Sequence, residues 1–420
     1  MLHKKISLIC GGMLILLIGS IVYLSTEKDN ETLDNKTNEE IKEHYNKYVI
    51  TNNETKLYEL LNGKYIEKGY ISKNIELELM DKQVDDKEYF QIKSNDINYY
   101  VYYKDITPID NLNVKDNRYK NYIVFNENVV TNNLTIFYDE KDNELYRINQ
   151  SYTLPIIIKD GNKYGVEFNK ELVYLKKDNV KEVIKANNTE LKNSSGIGVL
   201  NYHAFYDENN LEEKNDCTTE ICHSKTQFKS HLEYIKENNI LSVTAKEVEM
   251  YIDGEIQLPK SVFITIDDGG KTDVAIDLLE KYKMNATIFL VTSWFDPSSY
   301  RKSEYIEFHS HTHNMHNGGK CPGGQGGEIK CLPEEEILSD LKASREVLNG
   351  STVFCYPFYE YNDYAINLVK EAGFTMAFIG ESNNSDNLVH VGSDKFKLRR
   401  FVIVTYTTID DLDKYFDQIK

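Results

Sequence analysis

The strongest constraint on the fold is a short apolar run, residues 262–266, that ends in the acidic pair Asp267 and Asp268. The next segment, residues 271–283, repeats apolar side chains at helical spacing and predicts a helix packed on a sheet. Strand and helix patterns alternate around this pair: strands 197–201, 286–291, 352–356, 375–379 and 397–404, and helices 227–238, 334–348, 364–372 and 410–419. This alternation predicts an α/β barrel or a broken version of one, with the two acids at its carboxyl edge.

A cluster of histidines downstream, at positions 311, 313 and 316, gives the acidic pair a chemical meaning. One carboxylate and two imidazoles around a cation leave coordination positions open for water and substrate, as hydrolytic metal sites require. The alternatives are an ordinary Asp-Asp-Gly turn and a loop of solvated histidines. Because both motifs follow strand patterns in the same α/β region, their conjunction favours a catalytic metal site.

Composition excludes one class of partner. The chain has 420 residues, enough for several domains, and a formal net charge of −18. Phosphate backbones are bound through basic patches, so nucleic acid is not expected as a partner. A neutral or basic substrate fits the charge better.

The N-terminal segment predicts a membrane anchor. Residues 6–24 carry no charge and follow Lys4 and Lys5, and no small-residue cleavage site comes after them. We therefore expect residues 1–26 to be an uncleaved transmembrane helix with the remainder outside the cell, and a removed signal peptide is the alternative. Residues 27–47 are too polar to pack and predict a tether.

Short β-branched and tyrosine-rich runs dominate residues 48–185, without helical periodicity. Similar short runs recur in the second half of this region. The repeat predicts two small all-β barrels, residues 48–110 and 111–185. A polar linker follows, and residues 196–420 form the predicted catalytic domain.

Five cysteines follow the N-terminal segment. Close spacing in an exported protein favours disulfides between Cys217 and Cys222 and between Cys321 and Cys331, which leaves Cys355 free. A four-cysteine zinc site is the rival interpretation, although neither pair has the two-residue spacing typical of one.

From about residue 196 to the C-terminus, the chain resembles the polysaccharide deacetylases of carbohydrate esterase family four. Residues 265–269, Thr-Ile-Asp-Asp-Gly, resemble the first motif of that family. The resemblance implies a deformed (β/α) barrel in which Asp267 is the general base and Asp268 a metal ligand. It also implies a divalent cation, for which zinc suits the ligands best and cobalt, nickel or manganese are alternatives.

The second motif of the family is a His-Thr or His-Ser pair with another histidine a few residues on. Two registers fit this sequence. His311 and His316 resemble the branch that acts on poly-N-acetylglucosamine and are the ligands we predict. His309 and His313 are the alternative pair.

Residues 354–358, Phe-Cys-Tyr-Pro-Phe, resemble the third motif, which lines the substrate groove. The resemblance implies that Tyr356, Pro357 and Phe358 bind substrate. The sequence departs from the family pattern at Tyr359, where a glycine often stands, and lacks the arginine that several relatives place there.

The usual Leu-x-His motif that supplies the general acid is absent near the C-terminus. Residues 199–203 resemble the start of the poly-N-acetylglucosamine branch, so His203 is the implied acid. The alternative interpretation of His203 is a buried histidine with a purely structural role. His390 is a weaker candidate acid.

Residues 398–401 resemble a family segment whose arginine orients the base. Strand alternation allows only one of Arg399 and Arg400 to point inward, and we predict Arg400.

These expectations combine into a fold class and a function. The fold class is multidomain: an N-terminal transmembrane helix, two barrels that resemble bacterial SH3-like modules, and a C-terminal deformed (β/α) barrel. The resemblances imply a metal-dependent deacetylase of N-acetylglucosamine in peptidoglycan, presented to the cell wall by the barrels and anchored in the cell membrane. The alternatives are a deacetylase of exported poly-N-acetylglucosamine and an inactive, membrane-anchored wall-binding protein.

Overall fold

The computed structural model describes residues 47–80, 88–94, 97–113, 117–187, 192–381 and 386–420. Within these residues, no helix is long and apolar enough to cross a membrane. The segment predicted as a transmembrane helix, residues 1–26, lies outside the described residues, as does nearly all of the tether. The predicted fold class is therefore corrected in its first part. The N-terminal region that the structure describes consists mostly of strands, which does not match a transmembrane helix.

The chain folds into two compact units. The first contains the described residues up to 117 together with 129–154 and 167–182, and the second contains 118–128, 155–166 and 183–420. Between residues 48 and 185 the strands are β1 (Tyr48–Thr51), β2 (Thr55–Leu61), β3 (Lys64–Ile71), β4 (Glu76–Glu78), β5 (Tyr89–Ser94), β6 (Ile97–Tyr102), β7 (Ile106–Ile109), β8 (Glu127–Thr131), β9 (Thr135–Tyr138), β10 (Glu144–Ile148), β11 (Thr153–Pro155), β12 (Ile158–Asp160), β13 (Lys163–Phe168), β14 (Glu171–Lys176) and β15 (Val180–Lys185).

The first unit joins the two halves that were predicted as separate barrels. Strand β3 of the first half pairs antiparallel with β10 of the second, so strands from both halves share one sheet. The pairing depends on Gly69, because a Cβ there would overlap the carbonyl oxygen of Arg147. Buried Phe137 and Phe168 stack with ring centroids 4.1 Å apart in the core. The prediction of two separate small barrels is wrong in this respect.

The second unit contains the α/β region. Its further strands are β16 (Ile197–Tyr202), β17 (Ala204–Tyr206), β18 (Cys222–Ser224), β19 (Leu241–Ser242), β20 (Ser261–Ile266), β21 (Ala286–Leu290), β22 (Ile306–Ser310), β23 (Val353–Cys355), β24 (Met376–Phe378), β25 (Leu388–Val389) and β26 (Phe401–Val402). Its helices are α1 (Leu211–Asp216), α2 (Lys225–Glu237), α3 (Ala245–Ile252), α4 (Asp273–Tyr282), α5 (Glu334–Val347), α6 (Asp363–Glu371) and α7 (Ile409–Phe416).

The central strands of this unit are parallel and follow the order β16, β20, β21, β22, β23, β24. A parallel bridge from Phe378 to Leu398 and the parallel pairing of β26 with β16 connect the two ends of this series. Every residue of β16 and β20 is buried, which explains their nearly continuous apolar sequences. Because the strands are parallel, the residues after β16, β20, β22 and β23 meet at one edge.

Residues 118–128, which precede the α/β region in the sequence, also belong to the second unit. Arg118 donates to both carboxylate oxygens of Glu247, at 2.9 and 2.6 Å, and the Tyr122 hydroxyl donates to the same carboxylate at 3.0 Å. Glu247 is buried and also closes the capping box of α3 with Thr244. One carboxylate therefore both caps a helix and binds a distant segment of the chain.

The cysteine predictions are confirmed. Cys217 is bonded to Cys222 and Cys321 to Cys331, while Cys355 is free and buried.

Candidate active site

The two acids follow β20 directly and lie in different surroundings. The Asp267 amide donates to the Tyr202 carbonyl oxygen of the neighbouring strand at 2.9 Å, which continues the sheet by one residue. Asp268 then adopts a left-handed backbone, with φ of 70°, and ends the extended chain. Gly269 is needed next, because a Cβ there would lie 2.5 Å from a Leu290 methyl group.

Asp268, His311 and His316 converge on one point. Asp268 Oδ1 lies 3.5 Å from His311 Nε2 and 3.3 Å from His316 Nε2, and one potential ligand atom from each residue lies within 4.8 Å of the others. Within the described part of the chain, this buried oxygen has no hydrogen-bond partner. A buried, unpartnered carboxylate oxygen beside two imidazoles is the donor set that a divalent cation requires. The residues therefore fit a metal.

Hydrogen bonding orients the first of the two imidazoles. His311 Nδ1 lies 2.8 Å from the Cys355 carbonyl oxygen, which only accepts, so Nδ1 carries the hydrogen and Nε2 faces Asp268. Burial lowers the pKa of His311, but Cys355 and Asp268 outweigh it and hold that pKa well above its ordinary value. Burial, then the nearby His311, lowers the pKa of His316 to about 4. A proton and a cation thus compete for His311.

Asp267 is held by an arginine. Arg400 donates from its two terminal nitrogens to the two carboxylate oxygens at 2.7 and 2.9 Å, and both side chains are fully buried. Burial opposes ionisation of Asp267, but Arg400 and then His311 prevail and keep its pKa far below its ordinary value. The structure thus turns Arg400 inward, whereas the half-buried Arg399 lines a groove of about 920 Å³.

His203 follows β16 at the same edge. Its Nε2 lies 3.9 Å from Asp267 Oδ2 and 3.5 Å from the Tyr359 hydroxyl oxygen. Burial lowers the pKa of His203, and the Asp267 and Asp268 carboxylates only partly offset that effect. His390, the weaker candidate, instead contacts the Ser195 carbonyl oxygen at 2.5 Å and Asp386 at 2.7 Å.

The structure places the alternative histidine pair away from Asp268. His309 Nδ1 lies 2.8 Å from the Ser351 hydroxyl, and His313 Nδ1 lies 3.0 Å from the Thr292 hydroxyl. The register with His311 and His316 is therefore the one that the fold brings to the acidic pair. Their roles as ligands stay predictions.

The third motif is only partly at the site. Tyr356 is fully buried against Phe354 and Tyr361, and Pro357 is buried as well. Both residues lie beneath the surface of the site, and their substrate-binding role stays a prediction. Phe358 does reach the site, with its ring centroid 4.6 Å from that of His316.

The sequence did not predict a role at the site for two side chains, Cys355 and Asp340. Arg400 donates to the Cys355 sulfur at 3.1 Å, and this sulfur lies 3.5 Å from Asp267 Oδ2. The Asp340 carboxylate accepts the backbone amides of His313 and Asn314, both at 2.7 Å, and so fixes the loop before His316. Cys355 could have been found from its position at the end of a strand, but nothing in the sequence singles out Asp340.

The sequence of this region identifies a class of protein. Residues 255–377 match the family described as Polysaccharide deacetylase, and they form a polysaccharide deacetylase domain. The matched range contains both acids and the convergent histidines. His203 and Arg400 lie outside it.

Individual relatives carry a more specific name. The chain is 28% identical over 177 residues to the poly-beta-1,6-N-acetyl-D-glucosamine N-deacetylase of Staphylococcus aureus strain MRSA252, covering 37% of this chain and 60% of the relative. It is 25% identical over 250 residues to the Staphylococcus epidermidis protein of the same name, covering 52% and 82%. The chain thus spans about three fifths of the first relative. A solved de-N-acetylase from Aggregatibacter actinomycetemcomitans shows 22% identity and a TM-score of 0.44, covering 52% of this chain and 99% of that one.

Proposed function

We propose that the second unit removes N-acetyl groups from poly-β-1,6-linked N-acetylglucosamine. The observation that carries the proposal is His203, which directly follows β16 at the start of the α/β region and has its Nε2 3.9 Å from Asp267 Oδ2. The names of the two staphylococcal relatives support this polymer over peptidoglycan, the substrate that the sequence alone put first. A polysaccharide is therefore the proposed partner.

Asp268, His311 and His316 would hold the divalent cation, and zinc suits one carboxylate and two imidazoles. Such a cation, when bound, polarises the amide carbonyl and lowers the pKa of water. The unpartnered Asp268 oxygen and the Nδ1 hydrogen bond of His311 prepare these side chains for that role.

Asp267 is the proposed general base. Its pKa is held low by Arg400, so the carboxylate is ionised, and each oxygen keeps a lone pair besides its Arg400 bond for a proton from the attacking water. The water oxygen bonds to the carbonyl carbon as Asp267 takes one water proton, the carbon–nitrogen bond breaks, and His203 in its protonated form donates its Nε2 proton to the departing nitrogen. The proton on Asp267 then returns to His203 or to solvent. The products are acetate and a glucosamine residue with a free amino group.

We propose that this reaction takes place outside the cytoplasm. The two disulfides support that location, because such bonds persist in oxidising surroundings. The pair Cys321–Cys331 closes the loop that follows His316, so its oxidation also stabilises the neighbourhood of the site.

Acetate release from the purified full chain with added zinc tests the proposal. A β-1,6-linked N-acetylglucosamine oligomer and peptidoglycan are compared in parallel, with Asp268→Asn as the inactive control. We expect release from the oligomer that disappears in the variant. Release from peptidoglycan alone would restore the wall substrate, and no release from either would favour an inactive binding protein.

A further inference from the structure

Two consecutive residues of the site have an unfavourable backbone. Phe358 and Tyr359 both lie in the left-handed region, with φ of 56° and 61°, although neither is glycine. Bulky side chains disfavour that region, and such strain persists only where the surrounding structure imposes it. The position of Phe358 against His316 accounts for one of these residues, and Tyr359 needs a reason of its own.

The fold makes room for the Tyr359 ring. A Cβ on Gly380 would lie 2.8 Å from Tyr359 Cγ, closer than two carbon atoms tolerate. Gly380 has no left-handed φ of its own, so its glycine serves this close approach rather than a turn. A strained backbone and the missing side chain at Gly380, two residues after β24, therefore hold the same ring.

The Tyr359 hydroxyl reaches into the proton-transfer side of the site. It donates to Asn201 Oδ1 at 2.7 Å, and Asn201 is oriented in turn by its own side-chain amide, which donates to the Tyr202 carbonyl oxygen at 3.2 Å. Because the phenol hydrogen is used in this way, the oxygen lone pairs remain for His203 Nε2, 3.5 Å away. The ring also covers the Arg400 guanidinium, 5.4 Å from its centroid.

We propose that Tyr359 is a positioning residue that holds the His203 ring with Nε2 directed toward Asp267. The inference rests on the proposed function, since it assigns His203 the proton that the amine receives. Tyr359 acts through His203 and need not touch the substrate. The strain at residue 359 is then retained because relieving it would free the histidine.

Four variants test this role by acetate release from the oligomer. Tyr359→Phe keeps the ring and removes the hydroxyl, and we expect kcat to fall about tenfold with little change in KM. Tyr359→Gly removes the ring and the hydroxyl together, so kcat should fall at least as far. Gly380→Ala should displace the ring and lower kcat similarly. In the Tyr359→Gly/Gly380→Ala double variant, the alanine should cause little additional loss.

Tyr364→Phe is the matched control. Its hydroxyl donates to the Leu332 carbonyl oxygen at 3.1 Å, so the variant also removes one phenol hydrogen bond. We expect its kcat to equal that of the unmodified chain. Unchanged kcat in Tyr359→Phe, or an additive loss in the double variant, would overturn the role of Tyr359.

Nitrogen NMR of the His203 side chain separates this inference from the proposed function. Tyr359→Phe should shift the Nε2 signal and Tyr364→Phe should not, whether or not acetate is released. If the unmodified chain releases no acetate but Tyr359→Phe still shifts the Nε2 signal, the proposed deacetylase activity is refuted. The contact between Tyr359 and His203 is then still supported. An Nε2 signal unchanged in Tyr359→Phe would refute the positioning contact even in an active enzyme.

Discussion

The two sides of the acidic pair differ in how completely their oxygens are partnered. On one side, both Asp267 oxygens accept from Arg400. On the other, Asp268 presents a buried oxygen without a hydrogen-bond partner in the described chain to His311 and His316. Two adjacent carboxylates thus acquire different chemistry from their surroundings alone. The first is suited to moving a proton and the second to holding a cation.

The largest effect should come from the partnered side. Asp267→Asn keeps the shape of the side chain but removes the base, so acetate release should fall about a thousandfold. The zinc content should stay that of the unmodified chain, because Asp268, His311 and His316 are untouched. Kinetics and metal analysis of the same preparation check this separation. Loss of zinc together with activity would show that the two sides are not independent.

Removing the guanidinium should destabilise the fold. Arg400→Met leaves Asp267 buried without its counter-charge, and breaking such a pair costs about 3–5 kcal/mol. Urea unfolding measures the loss. The double variant Asp267→Asn/Arg400→Met should recover part of it, because no buried charge is then left. A single variant as stable as the unmodified chain would contradict the buried ion pair.

The open side predicts a difference between two neighbouring histidines. His316→Ala should weaken zinc binding by about 100-fold or more, since one of the three proposed ligands is lost. His313→Ala should bind zinc normally, because His313 contacts Thr292. Calorimetric titration with zinc compares the two variants. Equal losses would indicate that the other register supplies a ligand.

The smallest effect is expected from the thiol on the partnered side. Cys355 contacts both Arg400 and Asp267 through a weakly hydrogen-bonding sulfur. Cys355→Ala should therefore destabilise the chain by only about 1 kcal/mol and lower activity a few fold. Unfolding and acetate release measured together test this. An effect as large as that of Arg400→Met would show that the sulfur is essential to the ion pair.

Local patterns predicted much of the second unit. The apolar run before Asp267 became β20, and the periodic segment after it became α4. Strand β22 was expected only as a strand pattern before the histidines, without bounds, because Glu307 and His309 interrupt its apolar sequence. The Glu307 carboxylate accepts the Ala245 amide at 2.9 Å, a contact that only the folded chain creates.

Long-range packing was harder to foresee. The pairing of β3 with β10 joins segments more than sixty residues apart, and no local periodicity encodes it. The burial of Tyr356 follows from its neighbours Phe354 and Tyr361 rather than from its place in a motif. By contrast, the convergence of Asp268, His311 and His316 could be predicted, because carboxyl ends of parallel strands share an edge.

The bond between Arg118 and Glu247 has a practical consequence for preparing an active fragment. A cut at the linker near residue 195 would separate the α/β region from Arg118 and Tyr122, and Glu247 would lose three donated hydrogen bonds in a buried position. Such a fragment should express poorly or unfold early. A fragment that keeps these bonds begins before Arg118, and it then also contains residues 129–154 and 167–182 of the first unit.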